Sequence, residues 1–105
     1  MRRVALAVCF AVPALAAGCF HGGAEADKQT IALAKRAYER AKARGVDLSR
    51  GPCLGVIKPE WVADVAHDPR QDVDDEPENQ CEAYREGEAG HFVELDPEGK
   101  FIRSG

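Results

Sequence analysis

Hydrophobic residues recur with the period of a helix near the start of the charged part of the chain. Five small or apolar residues share one helical face: Ile31, Ala34, Ala37, Tyr38 and Ala41. Asp27 suits the N-cap position, and Gly45 suits the left-handed position that follows a helix. The pattern therefore predicts an amphipathic helix from Lys28 to Arg44.

Further along, apolar and polar residues alternate with the period of two that is typical of β-strands. This alternation predicts a strand at 61–67, and residues 51–57 before it are predicted to form a short strand that ends before Pro59. Residues 91–96 and 100–103 are rich in aromatic and β-branched side chains, and the Asp-Pro-Glu-Gly sequence at 96–99 is typical of a turn. These last segments predict a β-hairpin that closes the chain.

Between the strands, residues 68–88 contain nine acidic and two basic side chains and no hydrophobic period. This segment predicts a long acidic loop with at most a turn of helix at 82–86. The element order then predicts an α+β fold. One N-terminal helix would pack on a three- to four-stranded antiparallel sheet that ends in the hairpin.

The N-terminus has a different pattern. Two arginines are followed at 4–17 by a run without any charge, which is the layout of a secretory signal. The run is too short for a transmembrane helix, which needs about 20 apolar residues, and Pro13 interrupts it. The predicted organisation is a signal peptide at 1–18, a flexible tether at 19–26 and a small α+β domain at 27–105.

The end of this segment, Leu15-Ala16-Ala17-Gly18-Cys19, resembles the lipobox of bacterial lipoprotein precursors. The resemblance implies that the Cys19 thiol receives a diacylglyceryl group and that a peptidase cleaves before it. The mature protein would then be anchored on the extracytoplasmic face of a membrane by its acyl chains. Lipoboxes commonly have leucine where this chain has Ala16. The sequence Ala14-Leu15-Ala16 also fits an ordinary secretory cleavage site, which would give a soluble exported protein.

The cysteine count bears on this choice. Of the four cysteines, Cys9 leaves with the signal in either case. Lipidation of Cys19 would leave Cys53 and Cys81 as an even pair, whereas cleavage after Ala16 would leave an odd thiol. A metal site is the alternative for this pair, but neither cysteine has a C-x-x-C partner, and export favours disulfides. The sequence therefore predicts a Cys53–Cys81 disulfide.

Charge narrows the class of partner. The chain has 14 basic and 18 acidic residues, and the mature part would be still more negative without Arg2 and Arg3. Nucleic-acid binding is not expected, because affinity for phosphates comes from a basic surface. Attraction to anionic lipid is not expected either, so the membrane is a partner only through the anchor on Cys19.

The hairpin segment 93–100 resembles the closing hairpin of PepSY-type and cystatin-like small export modules. The resemblance covers a short, generic motif. It implies an architecture and carries no catalytic residue.

We expect a non-catalytic module that binds another envelope protein or an envelope ligand, with no cofactor. Exposed polar loops on rigid scaffolds often carry recognition, so the acidic loop is the predicted contact surface. Its candidate binding residues are Arg70, Gln71, Asp72, Asp74, Asp75, Asn79, Gln80 and Tyr84.

Two alternatives stay open. The acidic loop 68–88 is a candidate cation or small-ligand site, although it lacks the glycine and glutamate spacing of an EF-hand. A small histidine-dependent hydrolase is the second alternative, because His67 and His91 would meet if their strands paired suitably. Its further candidate residues are Asp64, Asp68 and Tyr84. No serine or cysteine nucleophile is evident, and no metal-ligand set is expected.

Overall fold

The computed structural model describes residues 25–105. The predicted signal peptide, Cys19 and most of the predicted tether lie outside the described residues. The elements follow in the order α1 (Lys28–Ala43), β1 (Cys53–Lys58), β2 (Trp61–Val65), α2 (Glu82–Arg85), β3 (His91–Leu95) and β4 (Phe101–Ser104). Three short 3₁₀ helices lie between them, at Leu48–Arg50, Asp72–Asp75 and Pro77–Asn79.

Helix α1 begins and ends close to where its sequence predicts. Asp27 is the N-cap, and its Oδ1 accepts hydrogen bonds from the backbone N–H and the hydroxyl of Thr30 at 2.8 and 2.7 Å. These bonds hold the pKa of Asp27 below its usual value. At the other end Arg44 is the C-cap, and Gly45 has a φ of 84°. The predicted helix is confirmed.

The four strands form one sheet in the order β1-β2-β3-β4. The pairs β1–β2 and β3–β4 are antiparallel, so the predicted closing hairpin is confirmed. Strands β2 and β3 are parallel, with Trp61 opposite His91 and Val65 opposite Leu95. The expectation of a purely antiparallel sheet was therefore wrong, and the sheet is mixed. A parallel pair needs a crossover of a dozen or more residues, which the chain between β2 and β3 supplies.

The sheet is covered on both faces. On one face, α1 and the following turn build the larger core from Ala34, Tyr38, Ala41, Leu48, Trp61, Ala63, Val65, Val93 and Leu95. On the other face, the crossover segment between β2 and β3 covers Val62 with Cys81 and Ala89. The predicted long loop therefore forms a packed layer on the face of the sheet opposite α1.

The predicted disulfide is present between Cys53 and Cys81. It joins edge strand β1 to the crossover segment just before α2, which is the predicted short helix. The segment that has the least hydrophobic pattern is thus covalently tied to the sheet. Within residues 25–105, no helix has the length and apolar character needed to cross a membrane.

Candidate functional site

A cleft of about 540 Å³ lies where the two parallel strands end. Strands β2 and β3 finish side by side, and the segments that follow them form its walls. Its lining includes Ser49, His67, Arg70, Lys100, Phe101 and Ile102. In open sheets, ligands bind outside the carboxyl ends of parallel strands, and this volume is in the usual range for ligand pockets. The cleft is therefore the candidate functional site.

One histidine of the cleft is held by a buried carboxylate. His67 follows β2, and its Nδ1 lies 3.0 Å from Oδ1 of Asp74, whose side chain is fully buried. Oδ2 of Asp74 accepts hydrogen bonds from the backbone N–H groups of His67 and Gln71, both at 2.9 Å. Burial alone would raise the pKa of Asp74, but these bonds and the His67 ring lower it below its usual value.

The charge on Asp74 fixes the chemistry of the ring. An ionised carboxylate only accepts hydrogen bonds, so Nδ1 of His67 carries a proton. Nε2 makes no hydrogen bond within residues 25–105, and it is not among the buried side-chain atoms that lack a partner there. Nε2 is therefore accessible, on the edge of the ring that faces away from Asp74. The side chain of His67 is 17% exposed.

A glycine makes the close approach at Asp74 possible. Gly51 has a φ of 69°, and a Cβ at this position would collide with Oδ1 of Asp74 and lie 3.1 Å from the carbonyl oxygen of Val65. Any other residue would therefore push the carboxylate away from His67. The turn after α1 therefore packs closely against the crossover segment where Gly51 meets Asp74.

Behind the cleft, two arginines share one glutamate. Arg70 donates to Oε2 of Glu94 at 2.9 Å and to Oδ1 of Asp75 at 3.0 and 3.2 Å, and Arg103 donates to the other carboxylate oxygen of Glu94. Asp64 on β2 is the register partner of Glu94, and its Oδ1 is buried without a hydrogen-bond partner in the part of the chain that the structure describes. Burial, together with the charge of Glu94, raises the pKa of Asp64 to about 8.

The predicted contact residues of the acidic loop are not all on one surface. Arg70 and Gln71 line the cleft. Asp74 and Asn79 are buried, and Asn79 donates to the carbonyl oxygen of Val73 at 2.8 Å. The structure places the other four in different settings: Asp72 and Asp75 are exposed, Gln80 donates to the carbonyl oxygen of Asp74, and Tyr84 packs edge-on against Phe92.

The cation hypothesis concerned the same loop. Within residues 25–105, no three His, Cys, Asp or Glu side chains lie close enough together to hold a metal ion. Asp74 and Asp75 already bond to His67 and Arg70. The described loop therefore contains no ready set of cation ligands.

The two strand-end histidines do not meet. Because β2 and β3 are parallel and Trp61 is opposite His91, His91 lies at the start of the strand pair and His67 beyond its end. His91 stacks on Trp61 with ring centroids 4.7 Å apart. The expectation that His67 and His91 would come together if their strands pair was therefore wrong.

Sequence reasoning missed the pairing of His67 with Asp74 and the contribution of Ser49 and Lys100 to the cleft. The sequence did contain one signal, the position of His67 at the end of a predicted strand. The pairing itself depends on the 3₁₀ turn that brings Asp74 back toward β2, and this turn has no hydrophobic period to reveal it. No family model, curated protein or solved structure matches this chain.

Proposed function

We propose that this chain is a lipid-anchored, exported, non-catalytic binding module whose binding site is the cleft at the carboxyl ends of β2 and β3. The observation that carries the binding role is the cleft itself, with an accessible histidine nitrogen oriented by a buried carboxylate. A ring that is fixed in this way binds a ligand group without first losing rotational freedom. The partner is an envelope protein or ligand that presents a group to this cleft.

The anchoring part of the proposal is supported by the cysteines. The Cys53–Cys81 bond uses both cysteines of the described residues. Among the remaining two, Cys9 lies within the proposed signal peptide, which leaves Cys19 as the acceptor for the lipid. A disulfide is also the expected state of paired cysteines in an exported protein.

Binding is favoured over catalysis by the hydrogen bonds around the cleft. Among the described residues that line the cleft, Ser49 alone carries a hydroxyl, and this hydroxyl donates to Oδ1 of Asp47 at 2.6 Å. If Ser49 were a nucleophile, its hydroxyl would instead bond to His67, because a neighbouring histidine is the base that activates serine in hydrolases. The Asp74–His67 pair therefore serves to present Nε2 to a ligand.

The anchor is tested by mass and by fractionation. The full chain, expressed in a bacterial host, should be recovered in the membrane fraction with a mass that corresponds to cleavage before Cys19 plus acyl chains. A Cys19→Ala variant should lose both properties. Recovery of wild-type protein in the soluble exported fraction, without acyl chains, would show ordinary secretion instead.

The binding site is tested by photo-crosslinking in cells. A photoreactive amino acid is placed at Gln71 or Glu98, which are exposed and line the cleft, and in a control at Glu39 on the exposed side of α1. We expect the same discrete adducts from both cleft positions and none of these from Glu39. Equal adducts at all three positions, or none at the cleft, would refute the cleft as the binding site.

A further inference from the structure

Lys100 and His67 each present to the cleft a side-chain nitrogen that has no partner within the described residues. The Nζ of Lys100 forms no ion pair or hydrogen bond there, although Lys100 lines the cleft. The other nitrogen is Nε2 of His67, which accepts a hydrogen bond in the tautomer that carries its proton on Nδ1 and donates one to an anion when both ring nitrogens are protonated. The guanidinium of Arg70, in contrast, donates hydrogen bonds to Glu94, to Asp75 and to the backbone carbonyl of Asp74.

The acidic residues of the lining mostly have partners already. Asp96 accepts hydrogen bonds from the backbone N–H groups of Glu98 and Lys100, both at 2.9 Å, so its charge belongs to the hairpin turn. Oδ1 of Asp68 lies 4.0 Å from Nη2 of Arg103. Glu98 is exposed on the rim. Asp96 and Asp68 therefore already have partners within the described residues, whereas the Nζ of Lys100 has none.

Part of the wall is apolar. Pro69, Pro97, Phe101 and Ile102 line the same cleft, and Phe101 is 42% exposed. Exposed aromatic surface beside unused donors fits a ligand that has an apolar body and one acceptor group. The acidic excess of the chain, 18 acidic against 14 basic residues, disfavours multiply charged anions.

We propose that the cleft recognises a single carboxylate on an apolar body, with Lys100 and His67 as the residues that bind the carboxylate. A carboxylate accepts two or more hydrogen bonds, and bonds to charged donors are shorter and stronger than neutral ones. Asp74 holds the imidazole so that Nε2 points to the ligand, and it is a positioning residue. This inference rests on the proposed binding role of the cleft.

The test uses benzoate and its neutral analogue benzamide as probes on the purified, disulfide-bonded full chain. Nuclear magnetic resonance of ¹⁵N-labelled protein follows the imidazole nitrogens of His67 during each titration. We expect saturable shifts at His67 with benzoate, in the millimolar range for so small a probe, and no saturable shift with benzamide. Equal responses to both probes, or no response to benzoate, would overturn the proposal.

Two variants and two matched controls identify the binding residues. His67→Asn keeps an amide near the place of Nδ1, which can still bond to Asp74, but it removes Nε2. Lys100→Met removes the charge and keeps most of the stem. Each should weaken benzoate binding by about tenfold or more, while His91→Asn and Lys42→Met should not. Unchanged affinity in both cleft variants, with unfolding midpoints near that of the wild type, would contradict the assignment.

The source of the carboxylate is resolved by a second pair of probes, the dipeptide N-acetyl-alanyl-phenylalanine and its amide. Tighter binding of the dipeptide acid than of benzoate would identify a protein C-terminus, and weaker binding would identify a small free acid. Failure of all carboxylate probes while the crosslinks at Gln71 and Glu98 persist would refute this inference alone. The binding role of the cleft would then stand.

Discussion

At the scale of single residues, the parallel register places two carboxylates side by side. Asp64 and Glu94 are partners on β2 and β3, yet both neighbouring arginines bond to Glu94. Oδ1 of Asp64 is left buried without a partner, and burial with the nearby charge of Glu94 raises its pKa to about 8. Asp64 is therefore mainly protonated at neutral pH, so that the pair carries one negative charge for the two arginines.

The first prediction concerns this raised pKa. Between the ordinary pKa of aspartate near 3.8 and the folded value of about 8, the folded state holds a proton that the unfolded chain has lost. The free energy of unfolding should therefore fall as pH rises through this window, at most by about 1.4 kcal/mol per pH unit from this group. The Asp64→Asn substitution removes the titrating carboxyl group and therefore also removes this loss of stability at higher pH.

Denaturant unfolding at several pH values from 4 to 9 measures the effect. The stability of Asp64→Asn relative to the wild type should increase with pH up to about 8 and then level off. Asp72→Asn, an exposed residue of the same crossover, should show no such trend. A difference between Asp64→Asn and the wild type that is constant with pH would show that Asp64 titrates normally.

The second prediction compares two glycines. Gly45 and Gly51 both have positive φ, 84° and 69°, but a Cβ at Gly45 would meet nothing within 4 Å, whereas one at Gly51 would collide with Asp74. Gly45→Ala should cost about 1 kcal/mol of stability, the usual penalty of the left-handed conformation. Gly51→Ala should cost clearly more and should also disturb the imidazole signals of His67. Equal losses in the two variants would mean that the close approach at Asp74 is unimportant.

At the scale of elements, the sequence predicted the individual helix and strands better than it predicted how the strands pair. Helix α1 and the hairpin β3–β4 have strong periodicity and well-defined turns, and both were predicted correctly. The direction of β3 relative to β2 was not, because a hydrophobic pattern specifies which face of a strand is buried and leaves its partner open. That direction is set by the crossover, whose packing relies on Val62, Cys81 and Ala89 rather than on a periodic pattern.

The third prediction concerns the covalent tie of this crossover. Loss of the Cys53–Cys81 bond frees a loop with a sequence separation of 28, and in the chain-entropy model such a loop contributes about 3 to 4 kcal/mol. The Cys53→Ala/Cys81→Ala variant, or the reduced wild type, should lose a comparable amount in denaturant unfolding. Reductant should leave the variant unchanged. A stability that reductant does not alter in the wild type would contradict the prediction.

At the scale of the whole molecule, different parts of the chain lie at the two ends of the sheet. The backbone N–H of Ala26 donates to Oγ of Ser104 at 2.9 Å, and Lys58 donates to Thr30 at 2.7 Å. The start of α1 therefore lies where β2 and β3 begin and β4 ends. The cleft lies at the other end, and the four residues of β4 separate the two ends by about 13 Å.

The candidate site was only partly predictable at this scale. Arg70 and Gln71 were identified because polar residues in a loop often bind ligands, and both line the cleft. Ser49 and Lys100 come from two distant segments that the sheet topology brings together. Neither segment contains a motif that points to a ligand site, so the mixed sheet had to be known before these residues could be grouped.

The last prediction combines this geometry with the proposed anchor. If Cys19 carries the lipid, the chain enters the domain at Glu25 and Ala26, at the end of the sheet opposite the cleft, and we expect the cleft to face away from the bilayer. A photoreactive residue at Glu25 in membrane-anchored protein should then form adducts with lipid, because only a few residues separate it from Cys19. The same residue at Glu98, on the rim of the cleft, should give little or no lipid adduct. Cys19→Ala should abolish the lipid adducts of Glu25. Lipid adducts at Glu98 as abundant as those at Glu25 would mean that the domain lies with its cleft against the membrane, where a partner in the envelope could not reach it.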